Sequence, residues 1–417
     1  MLIVKFYLII ISCLYILKEG FQYLLRYLNL RHMKSFGNNV PPEFEGYINR
    51  DFLKKVQDYE REKTKIDIIS SLSGNIATII FIFLGLLDYY NNWINSLNLS
   101  FIVSGLIFFL LLSYASTIIS IPFSLYINFK IENKYGFNTM TFKLWIQDFM
   151  KSVLLSTILN GIVISIAFWI IQGNPEYWWL WLWLFFMTFS IFIMYIAPYV
   201  IEPLFNKFTP IENPVLENRI QEVMEKIKIK VTRVFKMDAS KRSKHTNAYF
   251  SGIGKVKRII LYDTLLESMS DDEIIAVLAH EAGHWKKRHV LKMVIAAEVL
   301  SFIGLYISFR ILQTDMLTQL FMIKQNTLFA KIILLGFIGG IISFPFTPFA
   351  SYISRRFENQ ADEFALKLFN NKEAMISTLI KLSKDNLSNL YPHPLYVAFY
   401  YSHPPVIDRI NKIKKYL

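Results

Sequence analysis

Hydrophobic positions along the chain fall into long unbroken runs. Five carry almost no charge: Ile68–Leu87, Phe101–Leu125, Val153–Ile171, Trp178–Val200 and Ile332–Ala350. Each is near or above the ~20 residues that cross ~30 Å of hydrocarbon as a helix. Two further runs are less clean. Phe6–Leu17 is short, but Lys5 and Lys18 at its ends can snorkel. Val294–Ile311 contains Glu298 and ends at Arg310. The pattern therefore predicts about seven transmembrane helices. A cleaved leader is the competing reading of the first run. No A-x-A site follows it, and Leu14–Leu17 extend the run past any cut, although Ile10-Ile11-Ser12-Cys13 loosely resembles a lipoprotein site.

Between and after the runs the periodicity changes. Val256-Lys-Arg-Ile-Ile-Leu-Tyr262 reads as a strand, with Asn247-Ala248-Tyr249-Phe250 as its hairpin partner. Such an edge can take an extended peptide by strand addition, and a purely structural hairpin is the bland alternative. Ser270-Asp-Asp-Glu273 has capping-box spacing and opens an amphipathic helix that runs to Trp285. The chain divides into 1–200 (spans one to five), 201–292 (a polar segment with that helix), 293–350 (spans six and seven) and 351–417 (a second polar segment). The expected fold is an all-α-dominated multi-pass membrane protein with a small β-hairpin in its polar part.

Loop charge orients the bundle. The first, third and fifth connections and the C-terminal tail are rich in Lys and Arg, and the second and fourth hold none. By the positive-inside rule both polar segments are cytosolic and the N-terminus lies on the far side. Spans six and seven then form a hairpin that brings the two segments together. The net charge of +13 fits this distribution beside anionic lipid, and nothing in the chain supports nucleic-acid binding. With 53% apolar and 18% charged residues, a soluble or disordered chain is excluded. A single cysteine, Cys13, excludes a disulfide framework and any multi-thiolate metal site, so a bound zinc must use His and carboxylate.

The capped helix carries His280-Glu281-Ala-Gly-His284. His280 and His284 are four apart and share a helical face, so their imidazoles can hold one Zn²⁺ at ~2.0–2.1 Å. Glu281 sits beside that face, placed to take a proton from an attacking water. A catalytic zinc needs a third protein ligand and one open position. Glu358 and Asp362, four apart in Ser354–Ala365, are the candidates. With Glu358 as ligand, Asp362 is left to orient an imidazole or to help deliver a proton to the leaving amine. Ala361 and Ala365 let this face approach another helix closely. The bland alternative is a solvated face of Arg–Glu pairs. Of the other histidines, His403 in Tyr401-Ser-His-Pro-Pro405 and His393 in Tyr391-Pro-His-Pro394 are rigidly presented, which suits donation to an oxyanion. His289, five past His284, points about 140° off the zinc face and is expected at the surface. His32 and His245 show no partner.

These motifs together strongly resemble the type I CAAX prenyl endopeptidases, integral-membrane zinc metallopeptidases of the gluzincin kind. The matching text is Asp238–Phe250, Lys257–Leu266, Leu278–Trp285, Glu358-x-x-Ala361-Asp362 and Tyr401–Pro405, with Pro203–Pro210 and Lys143–Asp148. The resemblance covers nearly the whole chain. It implies seven helices enclosing a water-filled chamber, with one zinc per chain near the cytosolic end. By motif position His280, His284 and Glu358 are the implied zinc ligands and Glu281 the general base. Asp362 matches the proposed proton donor. Asn247 and His403 match residues that touch the substrate backbone or the oxyanion. Two departures stand out. The connection between spans six and seven is shorter than in fungal members. The abundance of Ile, Lys and Asn fits an AT-rich genome, and a bacterial source would remove prenylated proteins as natural substrates.

The expected function is hydrolysis of peptide bonds near the C-terminus of proteins, isoprenylated or not, in a lipid setting. The expected location is the bacterial inner membrane or the endoplasmic reticulum, according to source. Two rivals remain: a membrane quality-control protease of the same chemistry, and a seven-helix transporter or receptor with a structural zinc. For the last, Glu298 is the clear intramembrane ionisable residue.

Overall fold

The computed structural model describes residues 2–37, 39–251 and 256–416. Among them, seven helices are long and apolar enough to cross a membrane: Val4–Phe36, Arg50–Phe83, Phe101–Tyr135, Phe142–Gly173, Trp178–Phe205, His289–Leu312 and Leu328–Phe369. The seven expected spans are therefore all present, and most run well past their apolar stretches. The second stops short of Leu87 because Gly85 turns left-handed at φ 84°. The fifth continues through a π-helical turn at Ala197–Ile201, where Pro198 lacks the N–H that an α-helix needs. The seventh matters most for the site. A 3₁₀ turn at Phe344–Phe346, around Pro345, joins Leu328–Ser343 to the helix Thr347–Phe369. The last span and the Glu358 helix are thus one continuous rod, and position 350 falls inside it.

No more than 28% of any span's most apolar window is buried by protein. Helices packed into a solid bundle would bury a full stripe each. Close packing concentrates at two ends. Away from the polar segments, Phe108, Phe168, Phe309, Phe329 and Leu334 form an aromatic cap with neighbouring apolar residues. At the other end two cores flank the HExxH helix (Asp271–Lys286). One joins it to the sheet and to the helix Pro214–Lys226. The other joins it to the Glu358 helix and to the helices Lys372–Asp385 and Val406–Lys415.

The hairpin is found, with β3 (Ala248–Ser251) antiparallel to β4 (Val256–Tyr262). It is part of a larger sheet than the pattern suggested. β1 (Phe208–Pro210) and β2 (Lys230–Met237) complete a four-stranded sheet in the order β1-β2-β4-β3, with β2 parallel to β4. β2 contains Val231, Val234 and Phe235 among charged residues, a weak alternation that a basic connection disguises. β3 is an edge strand, so one row of its backbone groups is unpaired within the sheet.

Candidate active site

The HExxH helix begins at the expected capping box. The Ser270 backbone N–H donates to Glu273 at 2.8 Å, and the Glu273 N–H donates back to Ser270 Oγ. Glu273 also accepts from Lys381 at 2.7 Å and from Ser377 at 2.5 Å, which ties the helix start to Lys372–Asp385. Burial would raise the Glu273 carboxyl, but the bonds from Lys381, Ser377 and Ser270 outweigh it and hold it below the ordinary carboxylate range. Further along, Gly283 lies against the Ala361 backbone. A Cβ there would sit 2.9 Å from Ala361 Cα and 3.0 Å from its carbonyl oxygen. Ala361 and Ala365 are fully buried in this contact region, as their small size predicts. The absence of side-chain bulk lets the two helices bring His280, His284 and Glu358 together.

The three side chains bring their donor atoms together. His280 Nε2 and His284 Nε2 are 3.2 Å apart, His280 Nε2 lies 3.2 Å from Glu358 Oε2, and His284 Nε2 lies 3.2 Å from Glu358 Oε1. Donors at ~2.0–2.1 Å from one tetrahedral ion are about 3.3 Å from each other, so the spacing of the two nitrogens from each other and from the carboxylate fits such a site. Glu358 is buried, and its Oε2 accepts no hydrogen bond although His280 Nε2 lies 3.2 Å away. An orphaned buried carboxylate oxygen is costly, and a cation would satisfy it. Burial alone would push the His280 imidazole down, yet the Asp362 and Glu358 carboxylates hold it up to about 9. The field in the pocket favours positive charge. Among the described residues these three form the group that could hold a metal ion.

Both imidazoles are braced from behind. His280 Nδ1 faces Asp362 Oδ1 at 2.7 Å. Arg409 clamps Asp362 in turn, with Nε to Oδ2 at 2.8 Å and NH2 to Oδ1 at 2.7 Å. Nothing in the sequence pointed to Arg409; its amphipathic helix (Val406–Lys415) is visible, but its pairing across the fold is not. His289 corrects a sequence expectation. It is 0% exposed, lies 3.1 Å from His284 Nδ1 and reaches Gln360. A 140° offset holds only within one unbroken helix. The HExxH helix ends at Lys286, and Arg288 turns left-handed at φ 57°. A new helix then starts at His289, folded back toward the site.

On the open side, Glu281, His280, Asp362, Asn247 and His403 border a recess of about 170 Å³. Its apolar wall includes Ala248, Leu265, Val277, Met375, Leu379 and Leu382. Burial raises the Glu281 carboxyl, against the pull of His280 and His284. The His403 side chain is 58% exposed, with Nε2 3.4 Å from Glu358 Oε1 and Nδ1 2.9 Å from Ser402 Oγ. Asn247 stands at the start of β3, where its Oδ1 accepts from the Ala248 N–H at 2.8 Å. Ala248 and Phe250 face the HExxH core, whereas Tyr249 turns to the opposite face and donates to Glu202 at 2.9 Å. The loop before β3 is anchored from three directions. Arg242 makes a two-bond pair with Asp148, Ser240 bonds Asp263, and His245 bridges Asn386 and Glu132. The remaining histidines lie elsewhere. His32 bonds the Tyr391 carbonyl, and His393 caps the helix Pro394–Tyr400.

Comparison with known proteins agrees over the full length. Residues 29–207 match the family described as CAAX prenyl protease N-terminal, five membrane helices, and residues 210–417 match Peptidase family M48. The CAAX prenyl protease 1 homolog of Arabidopsis thaliana is 34% identical, covering 93% of each chain. CAAX prenyl protease 1 of Saccharomyces cerevisiae is 33% identical, covering 97% of this chain and 94% of that one. A crystal structure of S. mikatae Ste24p superposes with a TM-score of 0.89 at 32% identity, covering 98% of both chains.

Proposed function

The chain belongs to peptidase family M48 in its CAAX prenyl protease branch and is a multi-pass membrane metalloendopeptidase, and on that premise we propose that it binds one zinc ion through His280, His284 and Glu358 and cleaves extended C-terminal peptides. The observation that carries the ligand assignment is the convergence of two imidazole Nε2 atoms and one buried carboxylate at 3.2 Å spacings. Zinc bound there supplies Lewis acidity, which polarises the scissile carbonyl and makes hydroxide available near neutral pH.

The chain's own groups do the rest. Glu281, raised by burial, takes a proton from the attacking water on its carboxylate and passes it to the leaving amine. His403 Nε2 points into the site from a solvent-accessible turn and donates to the developing oxyanion. Asn247 and the free edge of β3 hold the substrate backbone as an added strand. Within β3, Ala248 borders the recess, Phe250 packs on the core beneath it, and Tyr249 contributes backbone only. The apolar recess suits one aliphatic side chain next to the scissile bond. Asp362 receives bonds on both oxygens and so acts by orienting His280, the first of the two roles its position allows.

The site lies on the cytosolic side, as the loop charges require, in the inner membrane of a bacterium or the endoplasmic reticulum of a eukaryote. A membrane setting suits a lipid-bearing substrate, since each buried lipid CH₂ contributes ~0.8 kcal/mol. A transporter with structural zinc is set aside by the peptidase family itself. The test uses purified protein, a farnesylated CAAX peptide and an unfolded membrane protein. The expected result is cleavage of the first, lost on chelation and restored by zinc. Glu281→Gln should lower turnover by ~10²–10⁴-fold while zinc stays at one per chain. Turnover at the wild-type rate would remove Glu281 from its role, and cleavage of the unfolded protein alone would assign a quality-control protease.

A further inference from the structure

The two imidazoles of the HExxH motif are braced by different chemistry, and the second brace has no place in the reading above. His284 presents Nε2 to the other proposed ligands and Nδ1 to the Nδ1 of His289, 3.1 Å away. His289 Nε2 in turn lies 3.0 Å from Gln360 Oε1. The geometry points to His289 and Gln360 as positioning residues that fix the tautomer and ring orientation of His284 for metal binding. The inference rests on His284 being a ligand through Nε2.

Proton bookkeeping permits one arrangement. A neutral imidazole that gives its Nε2 lone pair to a metal carries its proton on Nδ1. His284 Nδ1–H therefore donates, and the facing His289 Nδ1 must accept. A neutral His289 then carries its proton on Nε2, where the Gln360 carbonyl oxygen is the acceptor it needs. Both ring nitrogens of each imidazole are then matched. The alternative, with His289 donating from Nδ1, would leave His284 protonated on Nε2 and unable to ligate.

Packing holds the row in place. His289 is fully buried, and its ring stacks on Phe357 at 4.2 Å with planes 6° apart. It meets the His284 ring edge-on, at 79°. Because His289 engages His284 on the side away from Nε2, it cannot itself reach the metal position. Phe357 and Gln360 are three apart on the helix that carries Glu358 and Asp362. One helix thus supplies the third ligand and the braces for both imidazoles: a carboxylate for His280 and a neutral amide, through His289, for His284.

The experiment measures the zinc dissociation constant of detergent-purified full-length protein by chelator competition, with Co²⁺ absorption as a second readout of ligand geometry. His289→Phe keeps the stack on Phe357 but removes the acceptor, and should weaken zinc binding by ~10–100-fold. His289→Asn places an amide oxygen near the position of Nδ1 and should recover most of that loss and the wild-type Co²⁺ spectrum. Wild-type affinity in His289→Phe, or equal losses in both variants, would overturn the inference. Should His289→Phe not fold, Gln360→Met decides, with several-fold weaker binding expected and wild-type affinity fatal. Glu358→Gln serves as the control for the ligand set. If it alone weakens binding, the brace fails and the ligands stand. If it leaves affinity unchanged, the ligand assignment fails and takes the brace with it.

Discussion

Gly105 and Gly283 each lack room for a Cβ, and the regions around them are built differently. At Gly105, in the aromatic cap, a Cβ would meet ring carbons of Phe168 at 2.4 and 2.6 Å and of Phe329 at 2.8 Å. At Gly283, beside the proposed metal ligands, it would meet the backbone of Ala361 at 2.9 Å. The cap is closed by side chains, which can repack at a cost. The catalytic end is closed by backbone against backbone, where nothing can turn aside. The cap needs shape and apolarity and tolerates small shifts. The catalytic end fixes the separation of two helices, each of which carries proposed metal ligands.

That difference predicts an order of sensitivity. Gly283→Ala should have the largest effect. The Cβ forces the helices apart where His284 and Glu358 must converge, and a shift near 1 Å can cost ~10²-fold. Specific activity of the folded fraction should fall by at least that factor, with weaker zinc retention by metal analysis. Near-wild-type activity would show that this contact does not set the spacing.

Glu273→Gln should act next, and in a pH-dependent way. The Glu273 carboxyl titrates below its ordinary value in the folded state, so its contribution is present above about pH 4.3. It is lost as pH falls through the folded value. At pH 7 the variant should be less stable by about 1–3 kcal/mol, the usual size for a hydrogen bond to a charged group. The gap in Tm should close as the pH drops below about 4. A gap that is independent of pH would locate the effect in packing instead.

Gly105→Ala should show the smallest functional effect. Overpacking the cap costs about 1–3 kcal/mol of stability, read as a lower Tm in detergent. Metal content and turnover per folded molecule should not change. A loss of zinc from this variant would mean the two ends are mechanically coupled, and the contrast would fail.

The long apolar runs were readable because hydrocarbon demands length and apolarity and little else, so the number of spans follows from local composition. The capping box, the His280/His284 face and the Glu358/Asp362 pair were readable for a similar reason: each is a spacing within one helix. The fourth-stranded extent of the sheet was not, since β2 pairs with a strand some 25 residues away and alternates only weakly. His289 was misplaced because a single left-handed residue, Arg288, resets the helical phase, and no periodicity survives such a break.

Sequence by itself determined which residues could ligate, which face each helix offers and how many times the chain crosses the bilayer, because all three depend on neighbours within a few residues. Tertiary structure alone decided that Glu358 meets the His pair across 74 residues, that Arg409 clamps Asp362 and that His289 and Gln360 stand behind His284. Those contacts join separate helices, and their distances are set by how closely Gly283 lets two backbones approach.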